Sequence, residues 1–182
     1  MASSSNPSVL RVPEPHDAAA LAALGRATFV STFGHLYSAE NLARFFTEAY
    51  VVETIAAELV DPSLRWLVVE DSQAPGVPIG FCKLSVGTSL PVSFAGRSVM
   101  ECKQLYLLDA YHGCGIADDL MRWAFGQASL VGAQDMVLCV YSDNLRAQRF
   151  YQRHGFAKYM DYHFMVGDHR DEEFILHCQL SP

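Results

Sequence analysis

Two glycines at the start of an apolar helix form the most informative pattern in this chain. Within 105–117, an apolar segment typical of a strand leads into a short turn, and an apolar helix follows. Glycine permits left-handed backbone conformations and close approach of a ligand. The first turn of a helix offers unpaired N–H groups and the positive end of the helix dipole. The pattern predicts a pyrophosphate cradle formed by His112, Gly113, Cys114, Gly115, Ile116 and Ala117.

A second informative stretch, 141–156, combines the end of a strand with a short helix. Asn144, Ala147, Tyr151 and His154 are three or four residues apart and therefore lie near one helical face. Asn144 is suited to cap the helix or to bond an amide-bearing ligand. Ala147 leaves room for that ligand, and Tyr151 places a phenol at the mouth of the strand.

Other ligand-binding patterns are incomplete in this chain. Asp118 occupies the third glycine position of G-x-G-x-x-G, and the Gly-Lys-Ser/Thr of a P-loop is missing. These gaps favour coenzyme A over a nicotinamide or a nucleoside triphosphate. The histidines lack the spacing of a metal site, so we predict no metal. Cys114 has no His–acid partner placed for it in the sequence, so we do not expect a nucleophile there.

Composition limits the class of protein and its partners. The 182 residues carry a net charge of −7 and are 51% hydrophobic, which predicts one globular domain over 8–182 after a disordered lead-in at 1–7. An acidic surface repels phosphate backbones, so we expect no nucleic-acid partner. No apolar run approaches the roughly 20 residues that span a bilayer, so we expect no membrane partner. Five cysteines without C-x-x-C spacing indicate reduced thiols in a cytoplasmic protein.

The elements that position these residues follow from the periodicity of the apolar positions. Strands are predicted at 9–12, 65–70, 79–86, 98–108, 135–141, 156–165 and 172–180. Helices are predicted at 16–29, 38–50, 52–59, 115–130 and 144–154. A hairpin-rich sheet with helices inserted at three places is a mixed α/β layer structure. The order is not the regular βαβ alternation of a doubly wound dinucleotide fold.

Both informative stretches resemble the GCN5-related N-acetyltransferase (GNAT) superfamily. The first is similar to its Gln/Arg-x-x-Gly-x-Gly/Ala motif, with Tyr111 or His112 where Gln or Arg is usual and Asp109 where Pro is common. The second is similar to its Asn-x-x-Ala-x-x-Phe-Tyr-x-x-x-Gly-Phe segment. The element order matches from Val9 to Leu180. Segments at 28–38, 101–107 and 164–168 further resemble the spermidine/spermine-type, PaiA-like branch.

The resemblance implies a fold and a reaction. The fold is a central, mostly antiparallel sheet splayed at its fourth and fifth strands, with helices on both faces. The co-substrate is acetyl-CoA, and an amine attacks the thioester directly in a ternary complex. Tyr151 matches the tyrosine that protonates the departing thiolate, and Glu101 is the candidate base, acting directly or through water. Main-chain groups at Leu105, Tyr106 and Leu107 would hold the thioester, alongside Asn144 and Ala147.

The acceptor is less defined by the sequence. His35, Tyr37 and Gln104 are the candidates for contacting it. We expect a primary amine of a small, polyamine-like molecule. The alternatives are a peptide or protein amine, which a groove open at both ends would favour, and a CoA-binding sensor without turnover. The apolar closing strands are also candidates for a homodimer interface.

Overall fold

The computed structural model describes residues 8–180, so the predicted lead-in at 1–7 lies outside the described residues. Its strands are β1 Ser8–Arg11, β2 Leu64–Asp71, β3 Pro78–Val86, β4 Val99–Leu107, β5 Asp135–Tyr141, β6 Ala157–Val166 and β7 His169–Gln179. Its helices are α1 Ala18–Phe33, α2 Ala39–Glu48, α3 Val52–Glu58, α4 Ile116–Leu130 and α5 Leu145–Arg153. Each predicted element is present, with small shifts at its ends. The predicted mixed α/β class is confirmed.

The seven strands form one sheet in the order β1-β2-β3-β4-β5-β7-β6. All neighbours are antiparallel except β4 and β5, which run parallel. That parallel pair is joined only from Val99–Asp135 to Glu101–Val137. Beyond this point β4 keeps its pairing with β3, and β5 keeps its pairing with β7. The sheet is therefore splayed between its fourth and fifth strands, as predicted.

A β-bulge accompanies the splay. Lys83 of β3 pairs with Gln104, whereas the next residue, Leu84, pairs with Cys102. Lys103 is thus the extra residue of β4, and a bulge of this kind bends its strand and increases the local twist. The bend begins where β4 stops pairing with β5.

Apolar residues on the two faces of the sheet form two cores. On one face, α4 buries Ile116, Leu120, Met121, Ala124 and Ala128 completely. On the other face, α1 packs Leu21, Leu24 and Phe29 into a cluster with residues of β2 and β3. Truncating a buried leucine such as Leu120 to alanine would cost about 2–5 kcal/mol. The cleft between the splayed strands opens between these two packed layers.

Gly25 allows one aromatic side chain to reach the cleft. The Tyr50 ring packs directly on α1, where a Cβ at position 25 would lie 2.4 Å from Tyr50 Cδ1. Tyr50 itself has a left-handed φ of 58°. Its buried ring brings the hydroxyl within 3.2 Å of Gln104 Nε2, which donates a hydrogen bond to it. A side chain at position 25 would therefore disturb the floor of the cleft.

Candidate active site

One cleft of about 780 Å³ follows the splay and collects most of the side chains that the sequence singled out. It runs from the turn before α4, past the ends of β4 and β5, to the cover formed by α1, α2 and β7. The predicted site residues that line it are Tyr37, Glu101, Gln104, Leu105, Tyr106, Leu107, His112, Gly113, Gly115, Ala117, Asn144, Ala147 and Tyr151.

Three predicted residues lie outside the lining of this cleft. Ile116, the first residue of α4, is fully buried in the core, and Cys114 is exposed within the turn. His35 is exposed and lines a separate cavity of about 380 Å³, which shares Phe33 and Tyr141 with the cleft. Of the two residues proposed from the α1–α2 connection, only Tyr37 therefore reaches the main cleft.

The turn before α4 has the backbone of an anion cradle. Gly113 and Gly115 have φ of 80° and 84°, conformations that favour glycine, and the space beside both is open. The first α4 hydrogen bond runs from Asp119 N to Gly115 O at 3.1 Å. The preceding N–H groups have no intrahelical acceptor and lie at the positive end of a 15-residue helix. These features fit a pyrophosphate.

His112 connects this turn to β4 and α5. Its Nε2 lies 3.0 Å from Leu107 O and its Nδ1 lies 2.8 Å from Arg146 Nη1. A carbonyl can only accept and a guanidinium can only donate, so His112 carries its proton on Nε2. Arg146, which sequence reasoning missed, thereby brings a permanent positive charge to the phosphate end of the cleft. Its only sequence signal was its position two residues after Asn144.

Asn144 and Ala147 form the start of α5. The Asn144 side chain accepts a hydrogen bond from Ala147 N at 3.0 Å and caps the helix, one of its two predicted roles. Because the cap uses Oδ1, the Nδ2 donors remain available to the cleft. Ala147 presents only a methyl group to the same wall.

Tyr151 lies beneath the splay, on the α5 side. Only 9% of the residue is exposed, and its ring packs against Phe150 and Phe156. Burial raises its pKa well above 10, with smaller effects from Cys102 and Cys82. Within residues 8–180, no group accepts a hydrogen bond from its hydroxyl. Tyr151 is therefore a neutral donor facing the cleft.

The open edge of β4 supplies main-chain donors. Leu108 N donates to Ile79 O of β3 at 2.9 Å. Since successive residues of a strand point to opposite sides, the N–H groups of Leu105 and Leu107 point away from β3, toward the splay. The N–H of Tyr106 points to β3, and its side chain lies on the α1 side, edge-on to Phe81. Two of the three predicted main-chain positions thus face the cleft.

Glu101 is the last residue of β4 that pairs with β5, and it is 6% exposed. Its Oε2 accepts a hydrogen bond from Thr88 Oγ1 at 2.8 Å, and its Oε1 lies 3.1 Å from Lys103 Nζ. Both carboxylate oxygens are therefore engaged by protein groups.

Two acidic residues of β7 were not predicted. Asp171 is 5% exposed and accepts a hydrogen bond from the Tyr37 hydroxyl. Glu173 lines the same part of the cleft, and burial, followed by the nearby Asp171 charge, raises its pKa to about 7. The alternation of Asp171 and Glu173 along a strand was a weak signal, because the sequence did not indicate which face of β7 meets the cleft.

At the acceptor end of the cleft, α2 contacts the β6–β7 hairpin. Arg44 Nη1 lies 2.9 Å from Asp168 Oδ2, and Asp168 N donates to Asn41 Oδ1 at 3.4 Å. At Gly167, with φ of 61°, a Cβ would lie 2.5 Å from Asn41 Oδ1. These contacts, with the bond between Tyr37 and Asp171, form what we term the latch. The latch lies beside the acidic part of the cleft, which Asp171 and Glu173 line.

Residues 8–180 contain no group of three or more His, Cys, Asp or Glu side chains arranged to hold a metal ion. Among the same residues, no helix is long and apolar enough to cross a membrane.

A splayed sheet beside a glycine turn at a helix N-terminus defines the class of acyl-CoA N-acyltransferase folds. Residues 30–156 match the model of the Acetyltransferase (GNAT) family, and the chain belongs to that family. It is an N-acetyltransferase. Uncharacterised N-acetyltransferases of Mycobacterium bovis and Mycobacterium tuberculosis are each 31% identical over 160 residues, which cover 88% of this chain and 96% of the relative.

Solved structures share the fold at lower identity. The PaiA N-acetyltransferase of Thermoplasma acidophilum, in complex with coenzyme A, has a TM-score of 0.75 at 21% identity, over 95% of this chain and 99% of that one. A chain of the NatC complex, bound to a Gag peptide and CoA, has a TM-score of 0.70 at 17% identity, over 96% and 99%. These similarities support the fold, and of these two structures only the NatC complex is described with a bound peptide beside CoA.

Proposed function

We propose that this enzyme transfers an acetyl group from acetyl-CoA to a primary amine of a small cationic molecule, by direct attack in a ternary complex. The observation that carries the proposal is the junction of two features in one cleft. The glycine turn at the start of α4 and the free N–H edge of β4 open into the same space. A ligand with a diphosphate at one end and an amide-bearing arm fits both.

In this proposal, the chain's own groups hold the co-substrate at three places. The N–H groups from Gly113 to Ala117, with Arg146, bind the diphosphate. The Nδ2 donors of Asn144 and the edge of β4 bind the pantetheine amides. Positioning of both reactants in one cleft can supply several kcal/mol of the barrier.

The same edge of β4 stabilises the charge that develops during the reaction. A main-chain N–H from Leu105 or Leu107 donates to the thioester oxygen, and this bond strengthens as the oxygen becomes anionic. Tyr151 donates to the departing sulfur. A phenol whose pKa lies above 10 is a weaker acid than a thiol, so Tyr151 stabilises the thiolate through a hydrogen bond instead of ionising.

An alkyl amine is mostly protonated at neutral pH and must lose a proton before it attacks. Glu101, directly or through water, is the carboxylate that the sequence predicts for this step. Gln104 and Tyr37 then line the acceptor side, and His35 lies beyond Phe33 in the second cavity.

The acidic end of the cleft, with the latch beside it, favours a small amine over a peptide. Glu101, Asp171 and Glu173 line the acceptor space, and α2 meets the β6–β7 hairpin next to it. Carboxylates attract a cationic amine, whereas a continuing peptide would need an opening where α2 meets the β6–β7 hairpin. A polyamine-like molecule is therefore our preferred acceptor class.

Calorimetry with CoA and acetyl-CoA, followed by a thiol-release assay with a panel of amines, tests this function. We expect binding of both ligands, and turnover with diamines and polyamines exceeding turnover with peptides. Tight CoA binding without turnover on any amine would instead support a sensor. Failure to bind either ligand would remove the proposal entirely.

Location and assembly are further parts of the proposal. All five cysteines are free thiols, which suits a reducing cytoplasm.

Strand β6 is an edge strand that exposes Tyr159, Phe164 and Met165, and we propose it as the contact of a homodimer. Light scattering of the purified protein would give its mass in solution, and a monomer would exclude the dimer.

A further inference from the structure

We propose that Glu173 of β7, in place of Glu101, accepts the proton that the acceptor ammonium must lose before it attacks the thioester. This inference rests on the proposed acetyltransferase function and adds a catalytic residue to it.

The strand register places Glu173 at the centre of a row across three strands. Tyr141 of β5 and Tyr162 of β6 are its direct partners. Directly opposed residues point to the same face of a sheet, so the three side chains stand side by side. All three line the cleft on the α1 side, where an amine would approach the splay. Tyr37 also lines this space.

Glu173 is less engaged than Glu101. The Cys139 thiol, a weak donor, is the one described side chain that donates to the Glu173 carboxylate. Glu101 holds Thr88 with one oxygen and Lys103 with the other. An ammonium that reached Glu101 would compete with the Lys103 ammonium for the same carboxylate, whereas Glu173 has no charged donor and more free acceptor capacity.

The surroundings of Glu173 explain its basicity. Burial, and next the charge of Asp171 on the same strand, raise its pKa to about 7, and the Cys139 thiol opposes the shift. Tyr141 faces it from β5, Tyr162 from β6, and Tyr37 and Tyr106 lie within electrostatic range.

Glu101 and Lys103 also lie near enough to Cys139, the neighbour of Glu173, to interact with it electrostatically. The equilibrium for accepting a proton from an amine of pKa ~10.4 is about 500-fold more favourable for a carboxylate with a pKa near 7 than for one near 4.3.

The proton and bond changes balance without another reagent. The ammonium gives one proton to a Glu173 oxygen and becomes a neutral amine. Its nitrogen forms a bond to the thioester carbon, and the carbon–sulfur bond breaks with its electron pair on sulfur. The second proton leaves nitrogen as the amide forms and ends on the sulfur, with Tyr151 hydrogen-bonded there. Glu173 then returns its proton to solvent.

The test is a pH profile of kcat/KM for wild type, Glu173→Gln, Glu101→Gln and the matched control Glu172→Gln. Glu172 is the neighbouring exposed residue of β7, ion-paired with Arg170 at 3.3 Å. We expect wild type, Glu101→Gln and Glu172→Gln to gain activity through pH 7. Glu173→Gln should lose about 100-fold at pH 7.5 and recover steadily toward pH 10, where the free amine is abundant in solution.

Asp171→Asn is a useful additional variant, because Asp171 raises the pKa of Glu173 without itself accepting the proton. Removing that charge should move the pH midpoint of activity below 7 while the midpoint persists. A Glu173→Gln profile that keeps the midpoint near 7 and stays within threefold of wild type would overturn the proposal. So would loss of the midpoint in Glu101→Gln alone. Absence of turnover in wild type would instead overturn the acetyltransferase function, because it precedes any comparison of variants.

Discussion

Arg146 of α5 donates a hydrogen bond to Nδ1 of His112 across 2.8 Å, while Nε2 of His112 donates to Leu107 O at the end of β4. The histidine thus fixes three parts of the site to one another: the β4 edge, the glycine turn and the start of α5. It also sets the guanidinium beside the N–H groups of that turn. In this arrangement the Arg146 cation accompanies the main-chain cradle.

Arg146→Ala should weaken binding of CoA about fivefold to tenfold, because it removes one charge-assisted contact with the diphosphate. The loss should shrink at high salt, where ionic interactions are screened. Calorimetry with CoA at two salt concentrations measures both effects. Arg170→Ala, at an exposed arginine of β7 outside the lining of the cleft, is the control. Equal affinity for wild type and Arg146→Ala at low salt would contradict a phosphate contact.

Gly115→Glu should abolish detectable binding of acetyl-CoA. The substitution places a side chain at a left-handed φ of 84° and an anion in the proposed phosphate site. Gly126→Ala, an exposed position within α4 with free space around it, is the matched glycine control. It should bind normally and gain up to about 1 kcal/mol of stability. Circular dichroism would check that both variants remain folded.

Tyr151→Phe should lower kcat about 10-fold to 100-fold and leave the KM for acetyl-CoA within a factor of two. The ring and its packing remain, and only the donor to the sulfur is lost. Because burial holds the pKa of Tyr151 well above 10, its own ionisation should not shape the pH profile below pH 9. Unchanged kcat in the variant would exclude the donor role.

Gly167→Ala should raise the KM for a small amine severalfold and relax selection against longer acceptors. A Cβ at this position would push Asn41 of α2 away and open the latch. Gly76→Ala imposes a similar backbone strain, with φ of 84° in the β2–β3 turn, where no neighbour lies within 4 Å. Gly167→Ala should lose more stability than Gly76→Ala, because only its Cβ meets Asn41, and only Gly167→Ala should change acceptor preference. Identical kinetics in the two would show that the latch does not control acceptor size.

Glu173→Gln should stabilise the protein above pH 7. Folding raises the pKa of Glu173 from its ordinary 4.5 to about 7, so its contribution to stability is complete below pH 4.5 and is lost as pH rises to 7 and beyond. The variant cannot ionise and so avoids that loss, which should raise its free energy of unfolding above pH 7 by about 1–2 kcal/mol relative to wild type. This figure allows for screening by the water that reaches the side chain. Denaturant melts at pH 5 and pH 8 measure it. A difference of equal size at both values would contradict the raised pKa.

The sequence predicted the sheet, the helices and the phosphate end well because each depends on local signals. Gly113 and Gly115 require particular dihedrals, and Asn144 caps the helix that follows it. The acceptor end depends on long-range contacts instead. Asp171 meets Tyr37 across 134 positions of sequence, and nothing local indicates that pairing. Which face of β7 meets the cleft, and therefore the place of Glu173, follows only from the three-strand register.

The short parallel pairing of β4 and β5 has a mechanical consequence. Three residue pairs connect one half of the sheet, strands β1 to β4, with the other half, strands β5, β7 and β6. Amide hydrogens at Leu105 and Leu107 should therefore exchange with deuterated solvent far sooner than those at the β3–β4 border. A pantetheine arm bound in the gap would connect the two halves and slow that exchange. The enzyme should therefore be more rigid with co-substrate bound than without it.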